Sequence, residues 1–570
     1  MFKPSRYNLA VFDAIKNPKG GNLLIEAVAG SGKSTTLIEG LKLTKGYAIM
    51  LAFNKAIVED LKTRVPGNTI VSTFHSLCYA PVRNALHFRR VDTNKLWNLQ
   101  MNWTPVDVKR YGAYTRKLVS LAKSAGIGAI SPIEESSFYA LAEYHDLELE
   151  VEGASEARAV ELTMRLLEAS NQSREVDFDD LLYLPILMQL NLPKYDWVFC
   201  DEAQDTNAIQ REILRKILGR TGRGVFVGDR AQSIYLFRGA DSTAMDLIAE
   251  EFDCHKLPLS ITYRCPLEVV KLAKQYVPTI EAAEGAIPGE AIDLGEKWKL
   301  EDLGSHDLVV CRNNKPLISL GYKLFRAKIP VRILGRDIGD GLKALARKCD
   351  DGSGELDKMI ANLEKWRERE VAKAEAKNNM GKVAFIEDKV ESLLFLTEDI
   401  PEGKRYVSEV LDILEILFTA DNSRVTLATV HKAKGLEADV VWWLGKSLCP
   451  SKYAKLPHQL VQEKNIQYIA VTRAKKKLVM IELGEQGGKK AGKGPTSHDQ
   501  APEAGRIPPG AEKSPLAPIP ATQIASKAAT NKVLAEIASP NKAVGKKKTA
   551  KKKAKAKHSF KKLTTASLKH

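Results

Sequence analysis

The sequence has few features of a secreted or membrane protein. No apolar run approaches the ~18 residues that a membrane-spanning helix needs, and the first residues, MFKPSRYNLAVFDAI, lack the basic-then-apolar layout of a signal peptide. The seven cysteines are widely spaced, with no C-x-x-C pair and no histidine at zinc-ligand spacing. We therefore expect reduced thiols, no membrane partner and an intracellular location, either cytoplasm and nucleoid in a bacterium or virus or the nucleus in a eukaryote.

Net charge is nearly absent from most of the chain. The 570 residues carry a formal charge of +16, but residues 485–570 hold 19 Lys and Arg against 5 Asp and Glu, which accounts for +14 of it. Any nucleic-acid path in the preceding part must therefore be a local feature. Residues 485–570 also have few aromatic or β-branched side chains with which to form a core, so we expect them to be disordered. Their Lys clusters either bind phosphates, which we favour, or are simply solvated.

The length and the hydrophobic content of 44% indicate several folded domains, because a single core stops growing near ~250 to 300 residues. Short apolar runs alternate with helical patterns, which indicates parallel strands in α/β domains. One set of runs covers residues 23–30, 47–53, 69–74, 197–202 and 224–229, and a second covers 308–312, 331–335, 425–430, 439–445 and 477–483. The stretches at about 80–174 and 340–419 have helical patterns and predict an insertion in each domain. In the second, an apolar residue recurs at helical spacing, which predicts a helical hairpin with one core-facing apolar stripe formed by Leu356, Met359, Ile360, Leu363 and Trp366.

The strongest local motif is a glycine-rich loop between a predicted strand and a predicted amphipathic helix. It consists of Ala29, Gly30, Ser31, Gly32, Lys33, Ser34 and Thr35. The glycines let backbone N–H groups point at phosphates, Lys33 reaches the β and γ phosphates, and the Ser34 hydroxyl ligates Mg²⁺. A chance Gly-rich turn is the alternative, and the order of strand, loop and helix argues against it.

A second predicted strand, WVFC, ends in Asp201 and Glu202. Asp201 is placed to hold Mg²⁺, and Glu202 to orient and deprotonate the attacking water. An Asp-Glu pair alone is usually a solvated strand end, but this one follows a buried strand in a chain that also has a phosphate loop. The two motifs together predict an ATP hydrolase with ATP and Mg²⁺ as cofactors.

The order of the motifs in residues 4–483 resembles that of the superfamily 1 helicases of the UvrD/Rep type. The matching strings are AVAGSGKST (27–35), AFNKA (52–56), TFHSL (73–77), DFDDLL (177–182), DEAQD (201–205), GDRAQSIYLFRGA (228–240), TYRCP (262–266), TVHKAKGLE (429–437) and QYIAVTRAK (467–475). The resemblance implies an α/β fold with two RecA-like parallel-sheet core domains, each with a mainly helical insertion, plus a disordered basic C-terminal tail. It predicts a first core domain at 1–80 and 175–255 with an insertion at 81–174, a second core domain at 256–339 and 420–484 with a shorter insertion at 340–419, and the tail at 485–570.

The resemblance also implies an ATP site in the cleft between the two core domains. Gln232 is expected near the γ-phosphate, and Arg264 and Arg473 are expected to contact phosphates from the second core domain and to stabilise transition-state charge. By the same resemblance Tyr263 stacks on the adenine and Glu437 contacts the ribose. Asn8 stands where family members usually carry a Gln that reads the adenine edge. It keeps the amide but is one methylene shorter.

The nucleic-acid groove is implied in the same way. The residues that match groove positions of the family are Phe53, His75, Tyr235, Phe237, Arg238 and His431. Aromatic side chains in such a groove stack on bases without reading sequence, while basic and polar groups hold phosphates. Single-stranded and duplex DNA are the expected partners, and RNA is a weaker alternative because no reader of a 2′-hydroxyl is evident.

The predicted activity is that of an ATP-dependent DNA helicase that moves 3′ to 5′ on single-stranded DNA, unwinds duplex and acts as a monomer. A translocase that displaces bound proteins with little unwinding is one alternative. A nucleic-acid-binding scaffold with a vestigial ATPase is another, and the complete set of predicted catalytic residues argues against it.

Overall fold

The computed structural model of the protein describes residues 3–482 except 146, 148, 150, 152–153, 235–242, 377–379, 399, 402, 404, 420–424, 453 and 456. The Lys-rich tail lies outside the described residues, and so do Tyr235, Phe237 and Arg238. The predictions made for these parts stay predictions. No helix in the described ranges has the length and apolar composition needed to cross a bilayer. All seven cysteines are unpaired thiols.

Six strands form the first sheet, and all of them are parallel. They are β1 (Leu23–Ala27), β2 (Ala48–Leu51), β3 (Thr69–Ser72), β4 (Tyr195–Cys200), β5 (Leu218–Gly228) and β6 (His255–Leu259), in the spatial order β3-β2-β4-β5-β1-β6. Every residue of β2 is buried, as expected for a parallel strand with helices on both faces of its sheet.

Strand β6 was not predicted. It pairs with β1 and extends the first sheet to Leu259, so the domain boundary predicted at 255/256 falls inside a strand. Its sequence, HKLPL, contains a proline and charged residues, which disfavour a strand prediction. Proline lacks the backbone N–H that a central strand must donate to its neighbour. An edge strand has one side without a neighbouring strand, so a proline is tolerated there.

The helices that accompany the first sheet lie before, between and after its strands. They are α1 (Arg6–Lys16), α2 (Lys33–Leu41), α3 (Lys55–Lys62), α4 (Phe74–Leu86), α5 (Lys95–Gln100), α6 (Pro105–Ala125), α7 (Glu135–Tyr144), α8 (Glu156–Gln172), α9 (Phe178–Leu187), α10 (Ala208–Ile217) and α11 (Ala244–Glu251). Helix α6 shows how their ends are set: Thr104 caps it by accepting the Asp107 N–H, and Gly126 ends it with a φ of 82°. Helices α5 to α8 confirm the helical character predicted for the first insertion.

The second sheet is also six-stranded and parallel. Its strands are β9 (Glu290–Gly295), β10 (Leu308–Cys311), β11 (Val331–Ile333), β12 (Val425–Thr429), β13 (Ala438–Leu444) and β14 (Ala474–Ile481), in the order β11-β12-β10-β13-β14-β9. A short pair, β7 (Ile261–Thr262) with β8 (Glu281–Ala282), precedes it. The helices of this half are α12 (Leu267–Ala273), α13 (Asn314–Arg326), α14 (Arg336–Cys349), α15 (Leu356–Glu375), α16 (Met380–Thr397), α17 (Val407–Thr419), α18 (Val430–Ala433) and α19 (Pro457–Val471). The predicted α/β class with two parallel sheets is confirmed.

The second insertion shares its core with the second sheet. Leu356, Met359 and Leu363 of the predicted apolar stripe are buried in one cluster with sheet residues such as Val309 and Val425. Helices α15 and α16 pack against each other as the predicted hairpin. The insertion is therefore a layer on the sheet, with no separate core of its own among the described residues.

Four charged residues are buried where the first insertion meets the first core domain, and we call them the buried ionic cluster. Lys95 Nζ lies 2.6 Å from Asp180 Oδ2, and Lys123 Nζ lies 2.7 Å from Asp180 Oδ1 and 2.9 Å from Asp177 Oδ2. The Lys95, Lys123 and Asp180 side chains are at most 1% exposed. The cluster ties α5 and α6 of the insertion to the start of α9.

Candidate nucleotide site and nucleic-acid groove

The predicted phosphate loop joins β1 to α2, as its motif requires. Gly30 and Gly32 have φ values of 71° and 76°, which glycine adopts without strain. Gly32 is the N-cap of α2 and offers no side-chain bond, so the helix start presents backbone N–H groups. The Ser31 hydroxyl is buried and has no hydrogen-bond partner among the described residues.

The charged groups of the site meet at the carboxyl ends of β1 and β4. Lys33 Nζ lies 2.9 Å from Glu202 Oε1, and the Ser34 hydroxyl donates to Asp201 Oδ2 at 3.0 Å. Glu202 has a φ of 54°, an unusual value for a residue with a side chain. A hydroxyl and a carboxylate oxygen at this distance fit Mg²⁺, which commonly takes one or two protein ligands and completes its shell with substrate phosphates and water. The described residues hold no group of three or more His, Cys, Asp or Glu that could bind a metal without such help.

Burial and mutual repulsion separate the pKa values of the two acids. Burial and the neighbouring Glu202 raise the pKa of Asp201 to about 6. Burial would also raise the pKa of Glu202, but Lys33 and Lys434 outweigh it and lower that pKa to about 2. For Lys33, burial opposes the charge, yet Glu202 and Asp201 raise its pKa above the usual value. The site thus holds a permanently charged Lys33–Glu202 pair.

A series of buried hydrogen bonds connects the Lys33–Glu202 pair to the residues that follow β5. Gln204 donates to Glu202 and accepts the N–H of Asp229 at 3.0 Å, and Gln232 donates to Asp229 Oδ2 at 2.6 Å. Burial raises the pKa of Asp229 to about 6. Sequence reasoning selected Gln232 but missed Gln204 and Asp229. Gln204 lies in the DEAQD motif and Asp229 in the GDRAQSIYLFRGA motif, so their position as polar residues next to strand ends could have identified both.

The second core domain approaches the loop through Tyr263 and Arg264. The Tyr263 N–H donates to the Gly30 carbonyl at 2.9 Å, and 53% of the Tyr263 side chain surface is exposed. A Cβ on Gly30 would come within 2.5 Å of Arg264 Cβ, so only glycine permits this approach. Arg264 Nε donates to Glu437 Oε2 at 2.7 Å, and Glu437 also holds Lys475 at 2.6 Å.

Arg473 is 1% exposed and its N–H groups are used inside its own domain. They donate to the carbonyls of Ile469 and Leu436 at 3.1 and 3.2 Å and to the Thr472 hydroxyl at 3.3 Å. Burial and the nearby Arg264 lower the pKa of Arg473 to about 10. The structure places both predicted arginines in the second core domain near the phosphate loop, with Arg473 turned to backbone partners.

Asn8 is placed differently from its predicted role. Its side chain is 1% exposed. Its Oδ1 accepts the N–H and hydroxyl of Ser5 at 2.9 and 2.7 Å, and its Nδ2 donates to Thr36 Oγ1 at 2.9 Å. These bonds form the capping box that starts α1 and tie that helix to α2. Adenine contact by Asn8 stays a prediction, and it requires these bonds to break.

Phe53 and His75, the predicted groove residues of the first core domain that lie in the described ranges, line a common pocket of about 200 Å³. Phe53 follows β2 and is 43% exposed, and His75 lies in the first turn of α4. Burial lowers the pKa of His75. Phe178, which sequence reasoning missed, is 56% exposed and packs edge-to-face on His75 with ring centroids 6.4 Å apart. The available signal was its place inside the DFDDLL motif.

His431 lies in α18 of the second core domain, directly after β12. Three residues further on, Lys434 forms a buried ion pair with Asp205 of the first core domain, with Nζ and Oδ2 2.6 Å apart. The ion pair joins the motif that follows β4 to the motif that follows β12.

A phosphate loop and an acidic strand end in one parallel-sheet domain, with Arg264 of a second parallel-sheet domain against the loop, define a motor of the two-domain RecA-like class that hydrolyses nucleoside triphosphates. Residues 8–253 match the family model of the UvrD/REP helicase N-terminal domain, and residues 354–484 match that of the UvrD-like helicase C-terminal domain. The chain belongs to the UvrD/Rep-type superfamily 1 DNA helicases.

Curated relatives agree with this assignment. The F-box DNA helicase protein 1 of Schizosaccharomyces pombe is 26% identical over 505 residues, covering 81% of this chain and 56% of the relative. The ATP-dependent DNA helicase UvrD1 of Mycobacterium tuberculosis is 24% identical over 636 residues, covering 81% of this chain and 80% of the relative. The ATP-dependent DNA helicase Rep of Escherichia coli is 27% identical over 285 residues, covering 44% of this chain and 40% of the relative. The chain thus spans about half the length of the F-box relative.

Proposed function

We propose that the protein is an ATP-dependent DNA helicase that moves 3′ to 5′ along single-stranded DNA, with hydrolysis in the cleft between the two core domains. The observation that carries the proposal is the meeting of Lys33, Ser34, Asp201 and Glu202 at the strand ends of one sheet, with Arg264 of the other core domain against the phosphate loop. The names of the relatives supply the substrate, and the direction rests on the family resemblance.

The Lys33–Glu202 ion pair suggests how ATP activates the site. The β and γ phosphates compete with Glu202 for Lys33. Ser34 and Asp201 would hold Mg²⁺, which would neutralise phosphate charge. Release from Lys33 frees the Glu202 carboxylate. In the ion pair with Lys33 the pKa of Glu202 is about 2, so the group is ionised at neutral pH before ATP binds. Once released, its carboxylate can accept a hydrogen bond from the attacking water.

The two arginines complete the site from the other domain. Arg264 lies against the phosphate loop, whereas Arg473 must exchange its backbone and hydroxyl partners for phosphate oxygens. This exchange couples closure of the cleft to stabilisation of transition-state charge. Opening and closing of the cleft then moves the groove residues of one domain relative to those of the other.

The groove supports binding of single-stranded nucleic acid without sequence preference. Phe53 is an exposed aromatic that lines one pocket with His75, and Phe178 is an exposed aromatic in edge-to-face contact with His75. Aromatic groups of this kind stack on bases of any identity. Tyr235, Phe237 and Arg238 of the first core domain and His431 of the second are proposed to extend this path. We further propose that the protein acts as a monomer inside the cell.

A translocase that displaces proteins with little unwinding is the second candidate. The observation in its favour is the second insertion, which is short and fixed to the sheet by a shared core. Strand separation that requires a separately moving insertion would be weak in such a protein.

One experiment separates these functions. ATP hydrolysis is measured with and without single-stranded DNA, followed by unwinding of duplexes with a 3′ or a 5′ overhang and by displacement of streptavidin from biotinylated strands. We expect DNA-stimulated hydrolysis and unwinding only from the 3′ overhang, with Lys33→Ala as the inactive control. Displacement without unwinding would identify the translocase, and DNA binding without hydrolysis would identify a scaffold.

A further inference from the structure

Tyr468 forms a hydrogen bond between the two core domains at the phosphate loop. It lies in α19 of the second core domain, and its hydroxyl accepts the N–H of Ala29 at 2.9 Å. Tyr468 and Ala29 are both 0% exposed. A backbone N–H at the start of the phosphate loop is therefore satisfied by a side chain of the other domain.

The bond lies in an apolar environment that excludes water. Val28, Ala29 and Ile234 of the first core domain pack in one buried cluster with Tyr468 and its neighbours in the second. Burial and the nearby Asp229 raise the pKa of Tyr468 far above its usual value, so the hydroxyl stays neutral. With Phe at position 468, the Ala29 N–H would be left buried without a partner.

The same helix carries the groups that lead to Arg473. The Thr472 hydroxyl donates to the Tyr468 carbonyl at 2.8 Å, and Arg473 Nε donates to the Ile469 carbonyl at 3.1 Å. One turn before Tyr468, Asn465 donates to the carbonyl of Ser233 at 2.9 Å. Helix α19 is thus bonded to the first core domain by Tyr468, by Asn465 and by Gln462, which donates to the Ile234 carbonyl at 3.4 Å, and Arg473 follows the end of this helix.

We propose that Tyr468 is a positioning residue for ATP hydrolysis, whose hydroxyl fixes the Ala29 peptide and, through α19, sets Arg473 relative to the phosphate loop. The proposal rests on the proposed role of Arg473. Tyr468 itself contacts no reacting atom in this scheme. It makes the closed arrangement of loop and arginine more favourable than arrangements in which the helix has slipped.

The test compares Tyr468→Phe with Tyr276→Phe. Tyr276 is a half-buried tyrosine that packs against the same apolar cluster, so its variant removes a hydroxyl from the same environment without touching the loop. We expect Tyr468→Phe to lower kcat of the DNA-stimulated ATPase by roughly 10-fold, from the unpaired buried amide, while KM for ATP changes by less than about 3-fold. Tyr276→Phe should retain kcat. A kcat for Tyr468→Phe equal to that of Tyr276→Phe, in samples matched for active sites by mant-ADP titration, would overturn the proposal.

Dependence on Arg473 is tested with Arg473→Ala alone and combined with Tyr468→Phe. If Tyr468 acts through Arg473, the double variant is no slower than Arg473→Ala, because there is no finger left to misplace. An equal loss from Tyr468→Phe on both backgrounds would show that Tyr468 acts independently of Arg473 and would refute the positioning role. If Arg473→Ala alone leaves kcat unchanged, the proposed role of Arg473 is wrong. That result is distinguishable from a failure of the Tyr468 proposal, because Tyr468 is unchanged in the Arg473→Ala variant.

Discussion

Removal of Asp180 from the buried ionic cluster should destabilise the first half of the protein. In Asp180→Ala, Lys95 loses its carboxylate at 2.6 Å and retains the Ser170 carbonyl at 2.8 Å, while Lys123 retains Asp177 at 2.9 Å. One buried ammonium is left without a counter-ion and a second keeps a single one. Breaking a buried pair by removing one partner costs about 3 to 5 kcal/mol, and we expect a loss in this range.

The assay is denaturation by urea, followed by circular dichroism. The matched control is Glu161→Ala, which removes an exposed partner of Arg158 in the same insertion, where the side chains are 36% and 50% exposed. Such surface pairs contribute about 0 to 1 kcal/mol. A loss below about 1 kcal/mol for Asp180→Ala, or one equal to the control, would refute the reasoning about the cluster.

The pH dependence gives an independent check. Burial raises the pKa of Asp180, but Lys123 and Lys95 outweigh it, and the pKa lies below its ordinary value. A carboxyl with a depressed pKa contributes its stability fully above its unfolded pKa of about 3.9 and loses it as pH falls through the folded value. The difference in stability between wild type and Asp180→Ala should therefore be constant near neutral pH and shrink in acid. A difference that grows in acid would contradict this sign.

Four further predictions concern the two functional sites and the tail. Lys33→Ala should abolish ATP hydrolysis because the phosphates lose their cationic partner, and wild-type turnover by this variant would refute the assignment of the phosphate loop. Glu202→Gln should bind ATP and hydrolyse it slowly. Arg473→Ala should leave mant-ADP binding largely intact and lower kcat strongly, and the opposite pattern would indicate a ground-state role. Phe178→Ala should weaken single-stranded DNA binding by about 1 to 3 kcal/mol if one base stacks on it, measured by fluorescence anisotropy, and unchanged affinity would remove it from the path. Truncation after Leu483 should preserve the stimulated ATPase and reduce the slope of log K against log salt by roughly 0.7 per lost phosphate contact, whereas identical slopes would show that the tail does not bind phosphate.

Much of the fold was predictable because its strands are buried on both faces. Continuous apolar runs such as residues 47–53 and 439–445 have few interpretations once strands alternate with helical patterns. Two of the four edge strands, β6 and β9, were not predicted, whereas the edge strands β3 and β11 were. β6 and β9 carry polar residues, and β6 carries a proline, because one side of each has no neighbouring strand to pair with. The apolar stripe of the second insertion predicted a helix face that packs against a core, but the stripe alone does not indicate that this core is the one on the second sheet.

The nucleotide site was predictable to the level of residues but not of partners. The motifs select Lys33, Glu202 and Arg473, yet no spacing indicates that Lys33 pairs with Glu202 or that Arg473 bonds to its own backbone carbonyls. Lys33 and Glu202 lie more than a hundred positions apart in the sequence, and the hydrogen bonds of Arg473 depend on how its side chain is oriented in the folded domain. Asn8 illustrates the same limit, because its amide serves a helix cap that the sequence also permits.

The chain passes once between the two sheets in the described residues, at Ser260, between β6 of the first sheet and the short strand β7. Three residues later Tyr263 is bonded to Gly30 of the phosphate loop. A rigid rotation of one domain about this covalent crossing has its axis beside the phosphate loop, and displacement in a rotation grows with distance from the axis. In such a rotation, atoms near the phosphate loop move little, and the largest displacement occurs in the parts of the moving domain that lie farthest from Ser260.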